Sequence, residues 1–195
     1  MSDTAFKFRY EKGTYRYIKR QRILEIIKTL ILFALAAGIY LIGYLTLGSS
    51  RSLWTVFSIL GVLPAAKSAV SMIMFIKTRS LDEEEFISFS KAAGDVPALY
   101  ELLFTTSDRS YYVPCLICSQ RTICAYSDIP ETSLTILSEH IRGILDDNGV
   151  KGYSLKIFNK KEAFISRADE MRHNLGGRED HSSDEIFPVL LAIVI

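Results

Sequence analysis

TLILFALAAGIYLIGYLTL, residues 29–47, decides how the rest of this sequence is read: it is nineteen residues without a charge. As a helix it spans roughly 28 Å, which matches the hydrocarbon core of a bilayer. A second apolar run, SLWTVFSILGVLPAAKSAVSMIMFI at 52–76, is interrupted only by Lys67 and contains Pro64. The five residues Gly48 to Ser52 leave room only for a tight turn, so the two helices are expected to cross antiparallel. Lys12, Arg16, Lys19, Arg20, Arg22 and Lys28 precede the first run, Lys77 and Arg79 follow the second, and only Arg51 lies between them. The positive-inside bias then places both termini in the cytoplasm of a multi-pass plasma-membrane protein. A cleaved signal peptide competes for the first run, but the run exceeds the 7–15 residues of a typical h-region and no A-x-A site follows it. Two crossings without a targeting peptide fit a bacterial plasma membrane.

Working outward, the charge divides by segment. Residues 1–28 carry eight basic and three acidic side chains, residues 29–76 add only Arg51 and Lys67, and residues 77–195 carry thirteen basic against nineteen acidic. A net charge of +1 conceals a basic head, an apolar middle and an acidic remainder. That distribution excludes disorder, collagen, a disulfide-dense secreted module and a basic nucleic-acid binder. Three parts follow: a basic juxtamembrane segment (1–28), a two-helix transmembrane hairpin (29–76) and a cytoplasmic α/β domain (80–195).

Arg16, Lys19, Arg20 and Arg22 are expected to lie along anionic headgroups, each contributing about 1 kcal/mol near the surface. Tyr15, Tyr17, Tyr40, Tyr44 and Trp54 sit where belt aromatics do. Ala34 and Gly38 on the first helix, and Gly61, Ala65 and Ala69 on the second, let backbones approach, either within the hairpin or against a second copy. Lys67 is the one charge inside a span. Snorkelling to the headgroups explains it, while its lean toward the bilayer centre and Pro64 one turn away make it a candidate polar site in the membrane.

In the remaining 115 residues or so, of ordinary single-domain size, Ser80 with Glu83 reads as a capping box ahead of a helix whose first turn is acidic. The stretch 99–106 fits neither the helix nor the strand period strictly and is taken as a strand. Tyr111–Ser119 and Thr122–Ser127 around Gln120 and Arg121 read as a hairpin, completing a three-stranded meander. A helix over 132–147 stops at Asn148 and Gly149, Tyr153–Ile157 alternate as a fourth strand, and Asn159 with Glu162 caps a last clear helix containing Phe164, Ala168, Met171 and Leu175. Residues 175–183 read as a polar loop. The uncharged tail, 186–195, is too short to cross a bilayer and is expected to cover the sheet as a strand or short helix. The fold class is α+β.

Cys115, Cys118 and Cys124 form C-x2-C-x5-C without a second pair, and His140, His173 and His181 are scattered, so no zinc ribbon is expected. Cys115 and Cys118 fall on opposite faces of one strand, which favours buried free thiols over a redox pair. No G-x-S-x-G, phosphate-loop, dinucleotide or H-E-x-x-H pattern occurs. The order helix, three-stranded meander, helix, strand resembles that of the PD-(D/E)xK nuclease core, yet the second and third strands lack the acids and lysine that chemistry needs. The expectation is therefore a membrane-anchored binding or scaffolding domain, non-catalytic and without cofactor or metal. Its expected partner is the lipid bilayer and not nucleic acid, with a second copy through the small-residue faces as the alternative to packing within the hairpin. The alternatives are a tethered enzyme with a dispersed site around Asp128, Glu139 and His140, and a small oligomeric transport or pore subunit using Lys67.

Overall fold

The computed structural model describes residues 12–47, 53–106, 109–176 and 180–194. Its order is α1 (Tyr17–Leu47), α2 (Leu53–Lys77), α3 (Glu83–Ala93), β1 (Ala98–Thr105), β2 (Ser110–Ser119), β3 (Thr122–Tyr126), α4 (Glu131–Asp147), β4 (Ser154–Phe158), α5 (Lys161–Leu175) and α6 (Ser182–Ile193). The fold is α+β, with six helices and one mixed four-stranded sheet among the described residues. Residues 18–79 form one compact unit, and residues 12–17 together with 80–194 form another. The turn expected at Gly48–Ser52, the Trp54 side chain, the Gly177 end of the polar loop and Ile195 lie outside the described residues.

In the helical unit, α1 begins twelve residues before the uncharged run. Residues 17–28 are mostly Lys, Arg, Gln, Glu, Leu and Ile, with neither Gly nor Pro to stop a helix. Both α1 and α2 are long and apolar enough to cross a membrane. Their covered positions are periodic. On α1, Arg22, Glu25, Thr29, Leu32, Ala36, Ile39 and Gly43 are buried or half-buried, and on α2 so are Gly61, Ala65, Ser68, Met72 and Phe75. Spacings that alternate between three and four make a seam of period 3.5, as in coiled coils. A Cβ built on Gly61 would lie 3.6 Å from the Ala36 Cβ. The small residue of α1 that faces Gly61 is thus Ala36, two positions from the expected Ala34, which is exposed.

In the second unit the sheet order is β1-β2-β3-β4; the first three strands are antiparallel neighbours and β4 runs parallel to β3. Helix α4 makes the crossover that a parallel pair requires. One face packs Leu102, Phe104, Val113, Leu116, Cys118 and Ile123 against α4 and α6; the other packs Cys115, Ile117 and Cys124 against α3 and α5. The apolar tail is α6, whose Ile186 and Leu190, with Val194 just beyond, are buried in the first of these layers.

The face assignment of β1 and β2 switches part-way. Leu99 and Leu116 share a layer with Leu102 and Val113, although strict alternation would separate them. The switch falls at Glu101 and Pro114, which oppose each other between the paired residues on either side. Glu101 has φ 53° and Pro114 has no N–H to donate. Glu101 is fully buried, and its Oε1 accepts hydrogen bonds from the Ser80 hydroxyl and the Leu81 N–H, both at 2.8 Å.

That arrangement replaces the expected capping box. Asp82, not Ser80, is the N-cap of α3 and makes no side-chain cap bond, and the Ser80 hydroxyl donates to Glu101. The cap expected from Asn159 and Glu162 is likewise not formed: the N-cap of α5 is one residue later, at Lys160, and makes no side-chain cap bond. The β2–β3 turn places Gln120 and Arg121 at φ 49° and 55°, the left-handed pair of a two-residue hairpin. With neither residue a glycine, the turn is held from outside: Asp180 accepts the Gln120 N–H at 2.5 Å, and Arg121 pairs with Glu185 at 2.6 Å.

Candidate functional site

Two places concentrate polar chemistry. The first is in the helical unit. Glu25 is 8% exposed, and Thr29 and Ser68 are also buried. The Ser68 hydroxyl lies 2.9 Å from that of Thr29 and donates to Glu25 Oε2 at 3.4 Å, while Lys28 pairs with Glu25 Oε1 at 3.4 Å. One turn earlier, the Arg22 guanidinium donates to the Phe75 carbonyl at 3.0 Å and the Thr78 carbonyl at 2.7 Å. These carbonyls are at the C-terminal end of α2, where a cation meets both the orphan acceptors and the negative end of the helix dipole. The contacts run in reversed order along the two helices: 22 with 75 and 78, 29 with 68, and 36 with 61.

The second place flanks β4. On its α5 side is a groove of about 430 Å³. Its floor is made of the cross-strand pairs Thr122 with Ser154, Cys124 with Lys156, and the Phe158 ring. Its wall is one face of α5: Ala163, Ser166, Arg167 and Glu170. Small side chains at Ala163 and Ser166 leave the space open. Lys156 Nζ stands 5.0 Å over the Phe158 ring, and Arg167 donates to Glu170 at 2.7 Å. On the α4 side a second groove of about 390 Å³ is lined by Ser138, Glu139, Arg142 and again Lys156. There Arg142 donates to the Leu155 carbonyl at 3.2 Å. The outer side of β1 is covered by the N-terminal segment, whose Gly13 carbonyl accepts the Tyr100 N–H at 2.8 Å.

The residues expected from sequence are dispersed. Lys67 is exposed on α2, next to Ser68 but off the seam. Arg16 pairs with Glu83 at 3.5 Å and lies over the Tyr15 ring, Arg22 holds the α2 carbonyls, and Lys19 and Arg20 are exposed on α1. Among the described residues no hydrogen bond or ion pair links Asp128, Glu139 and His140, and no group of three His, Cys, Asp or Glu could hold a metal ion. The three thiols are free and buried, Cys115 and Cys118 on opposite faces of the sheet. Burial pushes all three thiols up, Cys118 to about 12, which suppresses the reactive thiolate.

No family model, no curated protein and no solved structure matches this chain. The element order of the PD-(D/E)xK core is present from α3 to β4, but β2 and β3 contain no acidic residue. The order alone carries no activity.

Sequence reading missed the seam residues Glu25, Thr29 and Ser68. Their signal was the alternating spacing through 22, 25, 29, 36 and through 61, 65, 68, 75, which the uniform apolarity of the two runs masked. It also missed the Lys156 and Arg167 groove. The trace there was a local excess of five basic residues over one acidic in 151–167, within a region that is acidic overall.

Proposed function

We propose that this is a membrane-anchored protein: α1 and α2 cross a plasma membrane as an antiparallel hairpin and hold the α/β domain on the cytoplasmic side, where it works as a non-catalytic binding module. The observation that carries the reading lies inside the domain. Residues 12–17, which lead directly into α1, are built into the same unit as residues 80–194, which follow α2. Besides the Gly13 bond to β1, Lys12 donates to the Val194 carbonyl and Tyr15 stacks on Phe86 at 4.1 Å. This supports placing both outer ends of the helix pair on one side of the membrane, with an even number of crossings.

Three further facts support the reading. Only 17% of each apolar window is buried, which is unlike a core helix. The large exposed apolar side chains of the described residues, apart from Ile87 and Ile136, all lie on α1 and α2. Such a surface needs a cover, and lipid provides it. The reversed order of the seam contacts agrees with an antiparallel pair. Lys19 and Arg20 sit on the turns of α1 just before the apolar run, where anionic headgroups attract them.

Carbonate extraction tests the anchor: the chain should stay with the membrane pellet, and release into the supernatant would overturn the reading. The non-catalytic assignment is tested by genetic complementation. Glu139→Ala with His140→Ala should retain function, whereas removal of residues 80–195 should abolish it.

A further inference from the structure

The groove between β4 and α5 has the composition of a ligand site, and we infer that it binds the phosphoryl group of a small solute of sugar-phosphate size. This rests on the reading of the domain as a binding module and names its ligand class. Four observations converge on it. The groove holds about 430 Å³, within the range of small-molecule sites. Two cations line it from different elements, Lys156 on β4 and Arg167 on α5. Three hydroxyls, Thr122, Ser154 and Ser166, also line it, and among the described residues none of them makes a side-chain hydrogen bond. Finally, all of these groups except Thr122 sit within the basic stretch 151–167 of an otherwise acidic domain, so the local field attracts an anion that the rest of the domain repels.

The donor set favours a phosphoryl group over a carboxylate. A carboxylate presents two oxygens, whereas a terminal phosphoryl presents three, and the fork of Arg167 with the ammonium of Lys156 and the hydroxyls supplies donors for all of them. Glu170 offsets one of these charges and leaves the lining net positive: its carboxylate accepts from one Arg167 nitrogen at 2.7 Å and orients the guanidinium along the wall. The Phe158 ring under Lys156 offers a flat apolar surface for the body of the solute.

The test uses the full chain in nonionic detergent and isothermal titration calorimetry. Ribose 5-phosphate should give saturable binding and ribose none. Lys156→Gln and Arg167→Gln should each weaken ribose 5-phosphate binding roughly ten- to hundredfold, as expected for losing a hydrogen bond to a charged group. Glu139→Gln, in the groove on the other side of β4, should bind as the wild type does. A short-chain phosphatidic acid below its micelle concentration distinguishes a lipid headgroup from a solute and should bind more weakly than ribose 5-phosphate. Equal responses to ribose and ribose 5-phosphate, preferential binding of the lipid, or wild-type affinity in both Gln variants would overturn the inference. Carbonate extraction is independent of all these results, so a failure here is separable from a failure of the anchor.

Discussion

Replacing Glu101 by Ala tests the account of the sheet. The carboxylate is fully buried and accepts two hydrogen bonds at 2.8 Å, one from a backbone N–H that is itself buried. A hydrogen bond to a charged acceptor contributes about 1.5–3 kcal/mol, and orphaning a buried donor costs its desolvation penalty. Losing both bonds should destabilise the domain by about 3–5 kcal/mol, a large part of the 5–15 kcal/mol typical of a domain. Ala relieves none of the positive-φ strain. Glu101→Gly does relieve it, by about 1 kcal/mol, and should fall between Ala and wild type. Glu101→Gln keeps an acceptor oxygen and should cost less than Ala. All three cysteines lie in this domain and are buried, so a fluorogenic thiol dye in a thermal ramp reports its unfolding without signal from the apolar helices. The Ala variant should melt about 10–20 °C below wild type. A melting point within about 3 °C of wild type, or equal losses for Ala and Gln, would refute the assignment of Glu101 as the anchor of residues 80 and 81.

The remaining predictions follow from burial, spacing and charge. In the native protein at pH 8 a thiol reagent should modify none of the three cysteines, and all three after denaturation; a native stoichiometry of one or more contradicts their burial. Gly61→Leu should drive α1 and α2 apart at Ala36, and a disulfide engineered between residues 29 and 68, efficient in the parent, should then form poorly; unchanged crosslinking contradicts the seam. Asp180 is held below the usual carboxyl range: burial pushes it up, but hydrogen bonds from Ser182 and from the Gln120 N–H outweigh that. Its contribution is therefore complete above the ordinary carboxyl range and is lost as pH falls through the depressed value. Asp180→Asn should melt earlier at neutral pH and decline less steeply than wild type from pH 5 downward, and parallel curves would contradict this.

The parts of the fold legible in the sequence were those where one period dominates. The helix over 131–147, the β2–β3 hairpin and the opposite faces of Cys115 and Cys118 all follow from local alternation and turn chemistry. Residues 99–106 resisted assignment for a physical reason that the structure supplies: the alternation breaks at Glu101, so no single period fits. The Ser80 and Glu83 pattern misled because a hydroxyl that suits a helix cap also suits a carboxylate twenty-one residues away, and only the tertiary structure decides between them. The candidate site was harder to read. Glu25 and Ser68 are forty-three residues apart and meet only when two apolar helices pack. Lys156 and Arg167 share a groove because a strand and the helix after it lie on one face.

The most direct test of the membrane reading exploits the inertness of the native thiols. Single cysteines are introduced at Ser50, between the two helices, and at Lys151, on the exposed surface of the domain, and an impermeant maleimide is added to intact cells. The account predicts that Ser50→Cys is labelled at once, and Lys151→Cys only after the membrane is permeabilised. Labelling of Lys151→Cys in intact cells, or protection of both positions until permeabilisation, would contradict it.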